Sequence, residues 1–296
     1  MIVTLAALVA EPSTRDFALA NLGVQAVMFG LGACLPAYRT GVVAFTDLVW
    51  PWGLAAIGVL ALVFGDPGSA LLLVVVGMYV LMGARGGAIG VRLTLTTDVL
   101  REDMPRYHYR RLTWRREGYR SDTAPMLHDI LQQCLANSSA LAVPAMLAVA
   151  DSQGTVGPVV IAGALLWAVS WVLESVADAQ KARFARRCAE EGVTRTCDVG
   201  FWRYSRHPNY FFEWLAWHGL ILVALPSLIR LADDFAVLPW LGFAAALAGI
   251  SGGLYYSLVY YTGAIPAEHF SVQHRPDYRD YQQRVNRFFP GPRRRR

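Results

Sequence analysis

Charge is scarce in this chain, and neither cysteine nor histidine is arranged to staple a small fold. Only 17% of its 296 residues are Asp, Glu, Lys or Arg, while 55% are hydrophobic and the mean hydropathy is +0.34. Soluble globular domains carry about 25% charge, so that class is excluded and an integral membrane protein is predicted. The four cysteines (Cys34, Cys134, Cys188 and Cys197) form no CxxC and no pairing framework, which argues against both disulfides and a zinc site. The six histidines form no HExxH or similar pair, and no metal is expected. The glycine-rich run from Gly83 to Gly90 lacks GxGxxG spacing and follows no strand, so a Rossmann loop is excluded. Gly83/Gly87 and Gly86/Gly90 have instead the small-residue spacing of closely packed membrane helices. A net charge of +5 and a pI near 9.1 would suit nucleic acid in a soluble protein, but in a membrane protein a basic balance reads as loop topology, so no nucleic-acid partner is expected.

What is present is a series of apolar runs. Seven are about long enough to span, at roughly 20 residues per crossing. They run from Phe17 to Tyr38, Leu48 to Phe64, Ser69 to Val91, Leu127 to Ala150, Val156 to Ala177, Tyr210 to Leu231 and Val237 to Thr262. The predicted fold class is therefore an all-α seven-helix membrane bundle in one domain, residues 1–296. Residues 1–16 form a lead-in whose apolar start lacks a basic n-region, and residues 290–296 form a flexible basic tail suited to anionic lipid headgroups. Of the 27 Lys/Arg residues, 23 fall in the stretches Arg92–Arg120, Lys181–Arg206 and Arg275–Arg296, which alternating spans put on one side. The opposite connections hold Asp66, Asp151, Asp233 and Asp234, and Arg230 is the cation beside them. By the positive-inside rule the C-terminus is cytoplasmic and the N-terminus lies outside.

Four polar clusters sit at the cation-rich ends of these spans. Glu174 and Asp178 share a helix face at i, i+4, followed by Lys181, Arg183, Arg186 and Arg187. Asn209 and Glu213 repeat that spacing where the sixth span begins, just after Arg206-His207-Pro208, a helix start whose free N–H groups and cations suit an anion. The loop Arg92–Arg120 interleaves eight arginines with Tyr107, Tyr109, Trp114 and Tyr119. The fourth cluster is Glu268-His269-Phe270 with Arg275-Pro276-Asp277-Tyr278-Arg279-Asp280-Tyr281, which alone reads as a solvated amphipathic helix. One shared pocket for a cytosolic ligand with rings and several phosphates satisfies all four, and a dinucleotide such as NADPH fits better than a small ion. A transporter with an intramembrane charge path is the least favoured class, because only Arg85 approaches the depth it needs.

The run Phe201-Trp202-Arg203-Tyr204-Ser205-Arg206-His207-Pro208-Asn209-Tyr210-Phe211 with Glu213 resembles the signature of the steroid 5-alpha-reductase family, in its bacterial DUF1295 branch. Glu102-Asp103 with Arg106-Tyr107, the stretch Glu174 to Lys181, and Glu268 with Arg275 to Tyr281 agree in order; the likeness covers Asp47 to Pro290 and is strongest in the C-terminal half. The resemblance implies a bacterial inner-membrane reductase that uses NADPH on the carbon–carbon double bond of a 3-oxo-4-ene steroid or similar lipid enone entering from the bilayer. It implies a cofactor site of Glu174, Asp178, Arg206, His207, Asn209, Tyr210, Glu268, Arg275 and Tyr278, with Arg92, Asp103, Arg106, Lys181 and Tyr281 beside them. Glu213, Tyr210 and Tyr79 are the candidate donors that polarise the carbonyl, and Trp52 and Trp217 are placed at the substrate. Phe212 stands where the family has glycine, which predicts a narrower space near the cofactor. Sterol C14 and C7 reductases and S-adenosylmethionine-dependent isoprenylcysteine methyltransferases share an RHPxY-like element; Asp178 to Lys181 and the Asn209-Tyr210 pair favour the reductase.

Overall fold

The computed structural model describes residues 12–294, so most of the predicted lead-in and the last two residues of the basic tail lie outside it. Among the described residues the regular structure is helical, and seven helices are long and apolar enough to cross a membrane. They are α1 (Pro12–Thr40), α2 (Phe45–Phe64), α3 (Ala70–Thr96), α5 (Thr123–Ala150), α6 (Pro158–Glu190), α7 (Pro208–Arg230) and α8, whose run Val237–His274 is taken here as α8 (Val237–Tyr256) and α9 (Ala264–His274). Two shorter helices complete the chain, α4 (Pro105–Arg116) and α10 (Tyr278–Arg284). The basic loop between the third and fourth spans thus contains a helix, one that Pro105 starts at a position where its missing N–H costs nothing. Likewise α6 continues to Glu190, well past the apolar run that ends at Ala177, and carries Lys181 and the following arginines out on a helical stalk.

The second half of α5 is the axle of the bundle. Every residue from Leu141 to Ala150 is buried, a run of small and branched side chains surrounded by α1, α2, α3, α7 and α8. Two glycine crossings bring the polar faces together. A Cβ on Gly83 of α3 would sit 2.4 Å from the Ala55 nitrogen of α2, and one on Gly87 would meet the Trp52 ring at 2.4 Å. The packing expected from the glycine spacing is therefore present, and all four of Gly83, Gly86, Gly87 and Gly90 face α2. On the other side, a Cβ on Gly219 of α7 would lie 2.6 Å from the Trp167 nitrogen, and one on Gly163 of α6 would lie 2.7 Å from the Gly219 carbonyl. Backbones this close are a usual way for helices to bind in lipid, where the hydrophobic effect between them is lost.

A polar knot absent from the sequence reading ties α1 into this core. Asn21 and Gln25, both fully buried, donate to the Asn137 carbonyl at 3.0 Å and the Gly53 carbonyl at 2.8 Å. At the far face from the cations, Arg230 pairs with Asp151, so this cation is neutralised locally.

Candidate functional site

The approach to α7 is built by docking a loop on α6. Gly200, at φ +54°, leaves room for Gln180, whose amide oxygen accepts the Phe201 N–H at 2.9 Å. Trp202 donates its indole N–H to the Ala177 carbonyl at 2.9 Å. α10 and the segment after it then close over the loop: Arg206 donates its backbone N–H to the Asn286 carbonyl at 2.8 Å, and the Tyr281 hydroxyl donates to the Trp202 carbonyl at 2.6 Å.

Inside this clamp Arg206 is 7% exposed and four of its five guanidinium donors are committed. It grips Glu268 of α9 through two bonds of 2.8 and 3.1 Å and donates to the Gln282 and Val285 carbonyls at 2.9 and 2.6 Å. His207 lies 3.1 Å from Glu268 through Nε2, which must carry the proton because a carboxylate accepts, and its ring stacks on Tyr210 at 5.3 Å. Burial pushes the His207 imidazole down to about 4, against the pull of the carboxylate. Arg206, His207 and Glu268 are thus the fastening between α7 and the C-terminal helices. Four of the five guanidinium N–H groups of Arg206 are engaged within the protein, so this cation works mainly as a tie, although it also lines the cleft described below.

A second cluster crosses three helices. Glu174 and Asp178 do share one face of α6, and Arg85 of α3 pairs with both, reaching Asp178 at 2.6 Å. Asn209 donates to Asp178 at 3.1 Å and keeps its own carbonyl oxygen buried without a partner. Glu213, one turn further along α7, makes no hydrogen bond or ion pair with the described residues. A buried acceptor and an acid left open on one helix face are well disposed to meet an incoming polar ligand.

Beside this cluster runs a cleft of two joined cavities. One, of about 310 Å³, lies between the stalk of α6, the loop 193–197 and α9 and α10; the other, of about 470 Å³, opens under Met104, Arg106 and Tyr210. Lys181, Thr194, Ala267, Ser271 and Arg275 line both and form the waist. Arg106, Lys181, Arg195, Arg206 and Arg275 all contribute to the walls, whereas none of the lining residues is Asp or Glu. Arg106 is paired with Asp47 at 2.5 Å and Arg206 with Glu268, so Lys181, Arg195 and Arg275 are the lining cations best left to attract a multiply charged anion.

Of the residues singled out in the sequence, Arg106, Lys181, Arg206, His207, Tyr210, Arg275, Tyr278 and Tyr281 line the cleft. Glu174, Asp178, Asn209 and Glu213 form the adjoining cluster, and Glu268 stands behind Arg206. Others are placed elsewhere. Asp103 accepts the backbone N–H groups of Val43 and Ala44 at 2.7 and 3.2 Å, so it caps the start of α2, and Arg92 is exposed on the outside of α3. Tyr79 is fully buried and donates its hydroxyl to the Leu141 carbonyl, which removes it from the donors free to act on a substrate. Trp217 is buried edge-on against Tyr79 at 6.3 Å, and Trp52 packs over Gly87. Phe212 is buried against Phe201 at 5.2 Å and is not among the residues lining either cavity. Arg85, Arg195, Thr194 and Ser271 were missed. Of these only Arg85 carried a signal, as a lone charge inside a span.

The family model described as "Protein of unknown function (DUF1295)" matches residues 35–285. A Schizosaccharomyces pombe protein described as "Uncharacterized protein C594.04c" is 32% identical over 95 residues, which are 31% of this chain and 23% of that relative. No solved structure matches.

Proposed function

Since the chain belongs to the DUF1295 family, we propose on that premise that it is a membrane-embedded reductase, resembling the steroid 5-alpha-reductases, that uses NADPH to saturate the double bond of a 3-oxo-4-ene steroid or similar lipid enone. The observation that supports this reading is the two-lobed cleft, in which Lys181, Arg195 and Arg275 line the walls outside the Arg106–Asp47 and Arg206–Glu268 pairs, running up to an acid and amide cluster within the bundle. Each part suits a phosphorylated dinucleotide. In this reading Lys181 and Arg275 at the waist meet phosphates, and the unpartnered Asn209 oxygen and Glu213, in the cluster beside the cleft, meet the amide of the nicotinamide end. When bound, the reduced nicotinamide supplies a hydride for the β carbon of the enone. The protein's own share is alignment and proton management. Arg85 holds Glu174 and Asp178 in place, and Asp178 fixes the Asn209 side chain. Glu213 or Tyr210 donates a hydrogen bond to the substrate carbonyl, where negative charge grows, and a proton finishes on the α carbon. The cation-rich face is read as cytoplasmic, where dinucleotides are found, and the substrate is read as entering from the bilayer.

The test is purified protein in detergent with NADPH and a 3-oxo-4-ene steroid, followed at 340 nm. Absorbance should fall only when both are present. Binding of S-adenosylmethionine with no dinucleotide consumption against any enone would replace this reading with a membrane methyltransferase.

A further inference from the structure

Resting on the dinucleotide reading, we infer that Arg195 reads the 2′-phosphate of the cofactor's adenosine half and thereby sets the preference for the phosphorylated dinucleotide. The two cavities are unequal in kind. The larger one abuts Tyr210, on the same helix face region as Asn209 and Glu213, so the reacting half belongs there. The smaller one offers apolar walls from Phe184 and Val193, which suit a purine, beside a Trp202 ring that the Lys181 ammonium covers at 4.4 Å. Lys181 and Arg275, common to both, fall to the bridging phosphates.

What remains for a further phosphate in the smaller cavity is settled by which cations are already engaged. Arg206 is spent on Glu268 and two carbonyls. Arg195 has only a loose 3.9 Å approach to Glu191, with both side chains more than half exposed. Its backbone position is nevertheless fixed, because the next residue, Thr196, donates its N–H and hydroxyl to Asp277 at 2.9 and 2.6 Å. The guanidinium is therefore anchored at its base and free at its tip, the condition in which a fork of donors meets a phosphate.

The experiment measures equilibrium binding to the full chain in detergent, with no turnover required. NADPH, NADH, adenosine 2′,5′-bisphosphate and adenosine 5′-monophosphate are titrated into the wild type, Arg195→Ala and Arg195→Lys. The exposed Arg195–Glu191 pair contributes little to stability, so both variants should fold as the wild type does. Arg195→Ala should weaken NADPH and the bisphosphate by about 10-fold or more while leaving NADH and the monophosphate unchanged, and Arg195→Lys should recover part of the loss. Equal weakening of NADPH and NADH, or no weakening of either, overturns the assignment of Arg195 and leaves the dinucleotide site standing. Failure of the wild type to bind any dinucleotide overturns the site itself.

Discussion

Arg206 and Asn209 stand three residues apart, yet substituting them should have different consequences. Arg206→Ala leaves Glu268 buried beside a histidine with its main countercharge gone, a loss of about 3–5 kcal/mol, and should be read as a lower melting temperature or lost expression. Asn209→Ala removes one amide that faces the cleft cluster; it should weaken NADPH about 3- to 10-fold in a titration with a nearly unchanged melt. His207 adds a pH signature. Unfolded, it takes its proton near 6.5, and folded only at about 4, so in that window the unfolded state binds more protons and stability rises with pH. Melts in detergent should show full stability above about pH 6.5 and a decline on the order of 2–3 kcal/mol as pH falls to about 4, a slope that His207→Gln should flatten. The spacing of Asn209 with Glu213, and of Glu174 with Asp178, was legible because helix period alone puts them on one face. Arg85 meeting Glu174 was not, since 89 residues separate them and only the fold brings them together. For the same reason Arg206 read as a free cation: nothing local reveals that Glu268 lies against it.

At the scale of elements, the site depends on the angle at which α6 and α7 cross, because Asp178 rides on one and Asn209 on the other. Gly163 and Gly219 let the two backbones touch. Gly219→Val would drive a side chain into the Trp167 backbone, and should cost at least about 2 kcal/mol in stability and weaken the cofactor together with it, in coupled melt and binding measurements. Gly249→Ala, on α8, is the control: a Cβ there meets nothing within 4 Å, and both quantities should stay at wild-type values. The spans themselves were legible as apolar runs. Their ends were not, because α6 leaves the apolar region as one unbroken helix to Glu190, and α8 passes through the π-helical turn Ser257–Tyr261 before α9 begins at Ala264. Hydropathy marks where a helix leaves lipid, whereas a helix ends where its backbone runs out of partners.

For the whole molecule, the decisive quantity is the division of charge between the two faces. The cleft, the clamp around Arg206 and the stalk of α6 all occupy the face that carries 23 of the 27 Lys/Arg residues, and the connections at the other end carry Asp66, Asp151, Asp233 and Asp234. Moving the cationic face through a bilayer during insertion is strongly opposed, while four aspartates barely weigh in the choice. With the orientation fixed in this way, the proposed cofactor cleft opens to the cytosol and the Asp233-Asp234 turn lies outside. Single cysteines introduced at Asp233 and Arg115, in a background free of the four native thiols, test this directly. Asp233→Cys should react with a membrane-impermeant maleimide in intact cells, whereas Arg115→Cys should react only after permeabilisation. The reverse pattern would place the cleft on the side where no dinucleotide pool exists, and would turn the same cations towards some other polyanion.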